Sequence, residues 1–341
     1  MNKLTYNTGN GPSEIYFNLS LEQVLEKFNP EETVIITDSN ILNLYGVRFP
    51  KCPVIEIPPG EKGKNLSTIE SIIEKLLQME VDRSHFLLGV GGGVICDITG
   101  FVASIYMRGI QFGFVSTSLL SQIDASTGGK NGVNVGGFKN VAGCFTQPSF
   151  VLCDPKLLIT LSDEEYLSGL GELVKYALIK DKELFDLLED NIKLIKKRDA
   201  GFLASVTQTS VKIKIAVVEK DEREAGERRL LNFGHTVGHA IELHTGIKHG
   251  IAVAQGMQIA SYLSVSEGLL SVADSQRITD LLKKLGLIKG KVEINDSIIE
   301  LIKRDKKREK KMIHFVFLNG IGNGVVKAIS IEGLIEQLKK I

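Results

Sequence analysis

Four of the six histidines of this chain lie in one short segment, residues 228–250. His235 and His239 are four residues apart, so on a helix they share one face with about 6 Å between their Cβ atoms. His249 follows ten residues later, and Glu172 lies far upstream. Two histidines and one glutamate form a known zinc set with an open fourth position. The spacing favours His235 and His239 as joint ligands. A lone histidine is more often structural, but the clustering argues against that alternative here.

A second feature is the glycine turn in residues 87–100, LLGVGGGVICDITG. An apolar strand runs into Gly91-Gly92-Gly93 and a helix follows, the arrangement with which α/β proteins bind dinucleotide phosphates. The GxGxxG fingerprint is not met, because Val94 stands where its last glycine should be. The alternative of a nonbinding turn therefore stays open. A further turn, at residues 38–40, also follows a strand and is a candidate for holding ribose or adenine.

A third feature is the glycine-rich stretch at residues 121–140, SQIDASTGGKNGVNVGGFKN. It contains a Gly-Gly-Lys element, but no Ser or Thr follows Lys130 and position 124 is Asp, so a P-loop is excluded. Together with Arg108, its charged and amide side chains suit a small anion that carries both phosphate and carboxylate groups. The alternative is a flexible surface loop. A charge run at residues 303–311, KRDKKREKK, is typical of a solvated helix face.

Two kinds of structure must position these groups. The first half alternates apolar runs with amphipathic segments, which predicts a Rossmann-like parallel α/β sheet. We expect strands at 33–38, 54–57, 86–90, 112–115 and 151–153, and a helix at 67–79. The second half predicts a mostly α-helical domain, with helices at 163–199, 201–222, 228–244, 251–268 and 272–285 and one strand-like segment at 314–318. We therefore expect domains at 1–155 and 156–341.

The composition is that of an ordinary globular protein. A length of 341 residues exceeds the usual size of one hydrophobic core and favours two domains. Lys plus Arg equals Asp plus Glu, 41 each, which gives no reason to expect nucleic acid as a partner. No pair of the four cysteines has CxxC spacing, so a disulfide framework or a zinc knuckle is not expected. The chain shows neither a signal peptide nor a membrane span, and we expect a cytoplasmic protein that forms a homodimer.

Taken together, these stretches resemble the 3-dehydroquinate synthase family. The resemblance is carried by GGGVICDITGF (91–101), YMRGIQF (106–112), STSLLSQIDASTGGKNGVNVGGFKN (116–140), GLGELVKYALI (169–179), and LLNFGHTVGHAIE (230–242) with HGIAVAQGM (249–257). It implies an NAD-binding α/β domain, a helical metal domain and a substrate cleft between them. One departure stands out. Many family members have Thr after the Gly-Gly-Lys lysine and His-Pro further on, where this chain has Asn131 and Val135-Gly136.

The resemblance also implies roles for individual residues. The metal ligands, for zinc or a substituting cobalt, would be Glu172, His235 and His249, and His239 would instead act on the substrate. The remaining substrate contacts would be Arg108, Asp124, Lys130, Lys139, Asn140, Lys175, Arg228, Asn232 and a lysine of the charge run, Lys307 in our assignment. The NAD contacts would be Asp38, Ser39, Asn40, Glu61, Lys64, Gly92, Gly93, Val94, Asp97, Thr117, Ser118, Lys139 and Thr160.

The reaction that the resemblance implies converts 3-deoxy-D-arabino-heptulosonate 7-phosphate to 3-dehydroquinate and phosphate, a step of the shikimate pathway. It proceeds through transient oxidation at C5 with NAD, elimination of phosphate, reduction and an intramolecular aldol closure. The alternatives are another sugar phosphate cyclase, a metal-dependent polyol dehydrogenase and a noncatalytic NAD-binding module. The Gly-Gly-Lys element at residues 128–130 favours dehydroquinate as the product.

Overall fold

The computed structural model of the chain describes residues 3–8, 11–17, 19–306 and 312–340. The chain divides into two compact units, Met1–Leu161 and Ser162–Ile341. The predicted boundary after residue 155 falls at the start of a 3₁₀ helix, Pro155–Thr160, that belongs to the first unit. No helix in the described part of the chain is long and apolar enough to cross a membrane.

The first unit is built on a seven-stranded sheet. Its strands, together with a separate hairpin of β7 and β8, are β1 (Lys3–Thr8), β2 (Gly11–Phe17), β3 (Thr33–Asp38), β4 (Val54–Ile57), β5 (Phe86–Gly91), β6 (Gln111–Ser116), β7 (Lys130–Val135), β8 (Phe138–Phe145) and β9 (Phe150–Cys153). The sheet order is β1-β2-β9-β6-β5-β3-β4. All neighbours in it are parallel except β1 and β2. The predicted parallel α/β sheet is confirmed, and its central strands are apolar on both faces, as burial under helices requires.

In the described part of the first unit, four α-helices connect these strands. They are α1 (Leu21–Leu25), α2 (Ser39–Tyr45), α3 (Leu66–Gln78) and α4 (Gly93–Ile105). The helix predicted at 67–79 corresponds to α3. Helix α4 starts immediately after β5, with Gly92 as its N-cap and no side chain capping its first N–H groups. The amino end of α4 therefore presents backbone donors, which is the property that favours anion binding.

The second unit is mostly helical, as predicted. Its helices are α5 (Asp163–Lys180), α6 (Lys182–Asp190), α7 (Ile192–Lys196), α8 (Ala200–Lys220), α9 (His235–Thr245), α10 (His249–Ser266), α11 (Val272–Leu285), α12 (Asp296–Lys306) and α13 (Ile331–Leu338). The strands among its described residues, β10 (Met312–Leu318) and β11 (Gly324–Ser330), form an antiparallel hairpin. The expectation of a single strand in this half is wrong, because β11 supplies the partner that pairs the backbone of β10.

Two predicted helices are shorter in the structure. The helix expected over 163–199 is three helices, and Asp181 both ends α5 and caps α6 by accepting from the Leu184 N–H at 2.9 Å. The helix expected over 228–244 begins only at His235. A 3₁₀ helix, Glu227–Asn232, precedes it, and Gly234 lies between them at φ +78°, a left-handed conformation that a continuous helix excludes.

Candidate active site

Glycine contacts bring helices α5 and α10 together in the second unit. A Cβ added to Gly171 would overlap the carbonyl oxygen of Gly250, and one added to Gly250 would overlap that of Ser168. The Gly250 N–H also donates to the Ser168 hydroxyl at 3.0 Å. Only glycine allows two helix backbones to approach this closely. Because Glu172 follows Gly171 and His249 precedes Gly250, the contact places a carboxylate beside an imidazole.

A second glycine contact joins α9 to α10. A Cβ on Gly256 would overlap the carbonyl oxygen of Gly234, and one on Gly238 would come within 2.9 Å of the Val253 Cα. His235 is the first residue of α9, directly after Gly234. The close crossing of α9 and α10 therefore brings His235 to the same place as the glutamate of α5.

The resulting distances fit a small metal ion. The Glu172 Oε1 atom lies 3.3 Å from His249 Nε2 and 3.6 Å from His235 Nε2. Ligand atoms around a tetrahedral zinc, at bond lengths of about 2.0–2.1 Å, are about 3.3 Å from one another. Glu172 is fully buried at 0% exposure, where a carboxylate requires compensating positive charge. The nitrogen and oxygen donors of this set are those that zinc and cobalt accept.

Hydrogen bonds orient both of these histidine rings. His235 Nδ1 lies 3.1 Å from the backbone oxygen of Phe233, and His249 Nδ1 lies 3.0 Å from Glu242 Oε2. Each ring thereby turns its Nε2 atom toward Glu172. Acceptors of this kind are usual behind metal-binding histidines. Glu242 was missed by the sequence analysis, although its position seven residues after His235 places it on the same face of α9.

The pKa values of His235 and His249 are shifted in opposite directions. Burial lowers the pKa of His235 to about 3, because the charged ring would lose its hydration. Burial would also lower the pKa of His249, but hydrogen bonds to Glu172 and Glu242 outweigh it and raise the pKa to about 9. At neutral pH and without metal, His249 therefore carries a proton between two carboxylates. A bound cation would replace that proton, so metal binding and proton release are coupled.

His239 completes the cluster from the exposed side. Its ring centroid lies 5.3 Å from that of His235 and 5.6 Å from that of His249. One ligand nitrogen from each of the three rings falls within 4.8 Å of the others. His239 is exposed, whereas the other two are partly buried. The geometry keeps both predicted roles for His239 open, that of a ligand beside His235 and that of a group facing a substrate.

Three other predicted substrate contacts of the second unit lie in polar networks of their own. Lys175 forms a buried ion pair with Glu172, one helical turn away. Arg228, also buried, donates to the backbone oxygen of Glu222, and Asn232 donates to Glu224 Oε1 at 2.5 Å. The segment at 221–226 thus contacts both Arg228 and Asn232. Buried cationic side chains such as Lys175 and Arg228 suit recognition of an anionic ligand.

In the first unit, the predicted NAD contacts gather at the carboxyl ends of neighbouring strands. Asp38 ends β3, Gly92 follows β5 and Thr117 follows β6. The Thr117 N–H donates to the Gly91 oxygen at 2.9 Å, and a Cβ on Gly92 would come 3.3 Å from the Ser118 hydroxyl. Ligands of parallel α/β sheets bind at this edge. The gathering was predictable, since the carboxyl ends of parallel strands share one edge.

A second group of predicted contacts surrounds Lys64. This lysine is buried, contacts Asp97, and donates to Asn140 Oδ1 at 2.5 Å. Close by, Asn134 donates to Glu61 Oε1 at 2.7 Å and accepts from the Asn140 N–H at 2.9 Å. Asn140, predicted as a substrate contact, therefore lies among the predicted NAD contacts. Asn134 was missed because its role depends on a bridge across 73 residues.

Other predicted residues are engaged locally or stand apart. Asp38 accepts from the Asn40 and Ile41 N–H groups and so caps α2, while burial raises the pKa of its carboxyl. Thr160 shares a 2.6 Å hydrogen bond with the Tyr45 hydroxyl. Arg108 follows the carboxyl end of α4, about 20 Å along that helix from the glycine turn. The structure thus places Arg108 away from the strand ends that carry the predicted NAD contacts.

The glycine-rich stretch is a β-hairpin rather than a flexible loop. Lys130 opens β7, Lys139 lies exposed in β8, and Asp124 lies in a π-helical turn before them. Asn131, which departs from the family pattern, is buried and donates to the backbone oxygens of Gly129 and Thr146 at 3.0 and 2.7 Å. The asparagine at this position therefore stabilises the hairpin rather than contacting a ligand. Lys307, the substrate lysine expected in the charge run, lies outside the described residues.

Comparison with known proteins decides the family. Residues 54–168 match the model of the 3-dehydroquinate synthase N-terminal domain, and residues 169–308 match that of the C-terminal domain. A 3-dehydroquinate synthase of Campylobacter curvus (strain 525.92) is 45% identical over 306 residues, 87% of each chain. This chain belongs to the 3-dehydroquinate synthase family. The family consists of enzymes, lyases that release phosphate, and the predicted membership is confirmed.

Solved structures of similar fold extend the family to other sugar phosphate cyclases. A 2-deoxy-scyllo-inosose synthase in complex with carbaglucose-6-phosphate, NAD⁺ and Co²⁺ is 25% identical, with a TM-score of 0.88 over 99% of each chain. A 2-epi-5-epi-valiolone synthase from Streptomyces hygroscopicus subsp. jinggangensis 5008, with NAD⁺ and Zn²⁺, is 28% identical, with a TM-score of 0.85 over 96% of this chain and 95% of the other. The predicted fold is confirmed.

Proposed function

We propose that this chain is a 3-dehydroquinate synthase in activity as well as in family, converting 3-deoxy-D-arabino-heptulosonate 7-phosphate to 3-dehydroquinate and phosphate. The observation that supports this most directly is the site around Glu172, where two oriented imidazoles meet one buried carboxylate at metal-ligand spacing. Glu172, His235 and His249 would hold zinc or cobalt, and the strand-end groups of the first unit would hold NAD. When bound, these two cofactors supply reversible oxidation at C5 and stabilisation of negative charge on oxygen.

The residues of the second unit would then bind the substrate and transfer its protons. His239, exposed beside the two proposed ligands, takes the proton from the C5 hydroxyl and returns it, the general acid–base role in which a positioned imidazole most often acts. Arg228 and Asn232 hold the anionic groups of the substrate. To do so, both side chains give up their present hydrogen bonds to the 221–226 segment. Lys175 balances the charge of Glu172 and orients its carboxylate.

In the first unit, the proposed substrate contacts are the cationic and amide side chains of the hairpin, Lys130, Lys139 and Asn140, and Arg108 beyond the end of α4. Phosphate and carboxylate groups are recognised by such donors. Asp124, in the turn before the hairpin, would instead accept from the hydroxyl groups of the substrate, and Lys307 of the second unit, outside the described residues, is proposed as one more cationic contact. The proposed NAD contacts are Asp38, Ser39, Asn40, Glu61, Lys64, Gly92, Gly93, Val94, Asp97, Thr117, Ser118, Lys139 and Thr160.

The test is phosphate release from the heptulosonate phosphate with NAD⁺ in catalytic amount. We expect many turnovers for each NAD⁺, dehydroquinate as the product, and no accumulation of NADH, since the hydride removed at C5 returns there. Stoichiometric NADH would instead indicate a polyol dehydrogenase. Turnover of a different sugar phosphate, with none of the heptulosonate, would indicate another cyclase of this fold. Assembly as a homodimer and a cytoplasmic location are proposals too, and light scattering of the purified protein tests the first.

A further inference from the structure

The carboxylate of Glu242 touches the metal site without belonging to the ligand set. Its Oε2 atom lies 3.0 Å from Nδ1 of His249, and the side chain is only 12% exposed. Glu242 lies on α9, seven residues after His235 and three after His239, so all three side chains point from one face of the helix. A single helix face thus supplies one proposed ligand, one proposed proton-transfer group and one contact to a ligand of the next helix.

His249 depends on such a contact more than His235 does. The His249 side chain is 31% exposed, against 13% for His235, so packing restricts its ring less. A ring in this position can rotate unless a directional hydrogen bond holds it.

We propose that Glu242 is the positioning residue of His249, holding the Nδ1–H so that Nε2 faces the metal and thereby setting the affinity for zinc. A carboxylate that accepts the Nδ1 proton selects one tautomer and makes the opposite nitrogen a better donor to a metal. Within the described part of the chain, Nδ1 of His235 faces a neutral acceptor instead, the Phe233 carbonyl oxygen. The two proposed ligands therefore differ in donor strength, with His249 the stronger. This inference rests on the metal site of the proposed function.

The test measures the binding of Zn²⁺ to the metal-free full-length chain by competition with a chelator, together with the visible spectrum of the Co²⁺ form. Glu242→Ala should weaken Zn²⁺ binding about 10- to 100-fold, the usual effect of losing such an acceptor. Its Co²⁺ bands should shift, because the ring is free to turn. Glu242→Gln keeps an acceptor oxygen but loses the charge, so its affinity should lie between that of Glu242→Ala and that of the wild type.

The matched control is Glu165→Gln. Glu165 Oε1 pairs with Lys248 Nζ at 2.6 Å, one residue before His249. The substitution therefore removes a neighbouring carboxylate without changing a contact of the His249 ring. Its Zn²⁺ affinity should stay within about twofold of the wild type, as expected for a surface ion pair. Wild-type affinity and an unchanged Co²⁺ spectrum in Glu242→Ala would overturn the inference. If Glu242→Ala does not fold, the same result in Glu242→Gln overturns it. A wild-type chain that binds no metal would contradict the proposed function instead.

Discussion

In the first unit, the groups proposed to bind NAD lie at the ends of strands, whereas in the second unit the groups proposed to bind metal lie inside a packing of helices. The strand-end groups are backbone amides and partly exposed side chains such as Asp38, and the sheet topology alone collects them at one edge. The metal site instead contains buried charges, Glu172 and Lys175, held by helices in glycine contact. A site made from topology tolerates local change, while one made from close helix packing does not.

The largest effects are expected from the histidines, where the comparison is sharpest. Changing His235 or His249 to Ala should remove most of the bound metal and nearly all activity, because each is one of the three proposed protein ligands. His239→Ala should keep the metal and slow turnover about 10²- to 10⁴-fold, the usual value of a positioned acid–base group. The test is to measure the metal content of the three purified variants and their turnover at saturating substrate. Equal zinc loss from His235→Ala and His239→Ala would mean that His239 is a ligand.

The next largest effect is expected from the backbone contact itself. In Gly250→Ala the new Cβ would overlap the Ser168 carbonyl oxygen, which cannot move as a side-chain tip can. Overpacking costs about 1–3 kcal/mol and occasionally more, so we expect the free energy of unfolding to fall by about 3 kcal/mol and zinc to bind weakly. Denaturant unfolding measures the first effect. Gly290→Ala is the control, since nothing lies within 4 Å of its Cβ position. Equal stability of the two variants would contradict close packing as the cause.

A smaller effect, confined to the other site, is expected from Lys64→Ala. Lys64 is buried and contacts both Asp97 and Asn140. Losing a hydrogen bond that involves charge costs about 1.5–3 kcal/mol, so NAD⁺ should bind about 10- to 100-fold more weakly. Zinc affinity should not change. Calorimetric titration of NAD⁺ measures this, with the exposed neighbour Lys62→Ala as control. Unchanged NAD⁺ affinity in Lys64→Ala would remove this residue from the proposed NAD site.

The last effect is the pH dependence of the metal-free protein, which no substitution is needed to observe. The pKa of His249 is raised to about 9, so its stabilising contribution is complete below the unfolded value near 6.5 and is lost as pH rises through 9. The pKa of His235 is lowered to about 3, so the fold loses stability as pH falls from 6.5 toward 3, because the unfolded chain binds a proton that the buried ring resists. These two groups therefore place a stability maximum near pH 6.5. Thermal unfolding across pH 5 to 9 measures it, and His249→Ala should flatten the alkaline side.

Much of the fold could be predicted because local pattern and tertiary environment agree. The apolar run of β3 and the helical period of α3 are examples. The hairpin of β7 and β8 was missed because glycines and polar residues dominate it, and its order depends on the buried amide of Asn131. The start of α9 was missed because the left-handed conformation of Gly234 follows from its contact with α10, which no local pattern contains.

The candidate site also contains residues that could be predicted from the sequence and residues that could not. Spacing in the chain favoured His235 and His239 as joint ligands, and the family resemblance implied His249 in place of His239, together with Glu172, which lies 63 residues before His235. No spacing rule could link Glu172 to the histidines, since the link is the crossing of α5 and α10. Glu242 and Asn134 were missed for a related reason. Each acts through a partner on another element, so its role becomes visible only when the two elements are placed together.

The contact between Gly171 and Gly250 also determines what a protein engineer could alter. At this crossing the backbones themselves touch, so the distance from Glu172 to His249 is a property of the main chain and not of side-chain choice. A cation such as calcium needs bonds of about 2.3–2.6 Å and more oxygen ligands. Exchanging ligands alone would leave the crossing too narrow for it. A redesign toward a larger ion therefore has to change the contact between the two glycines first, and the ligands afterwards.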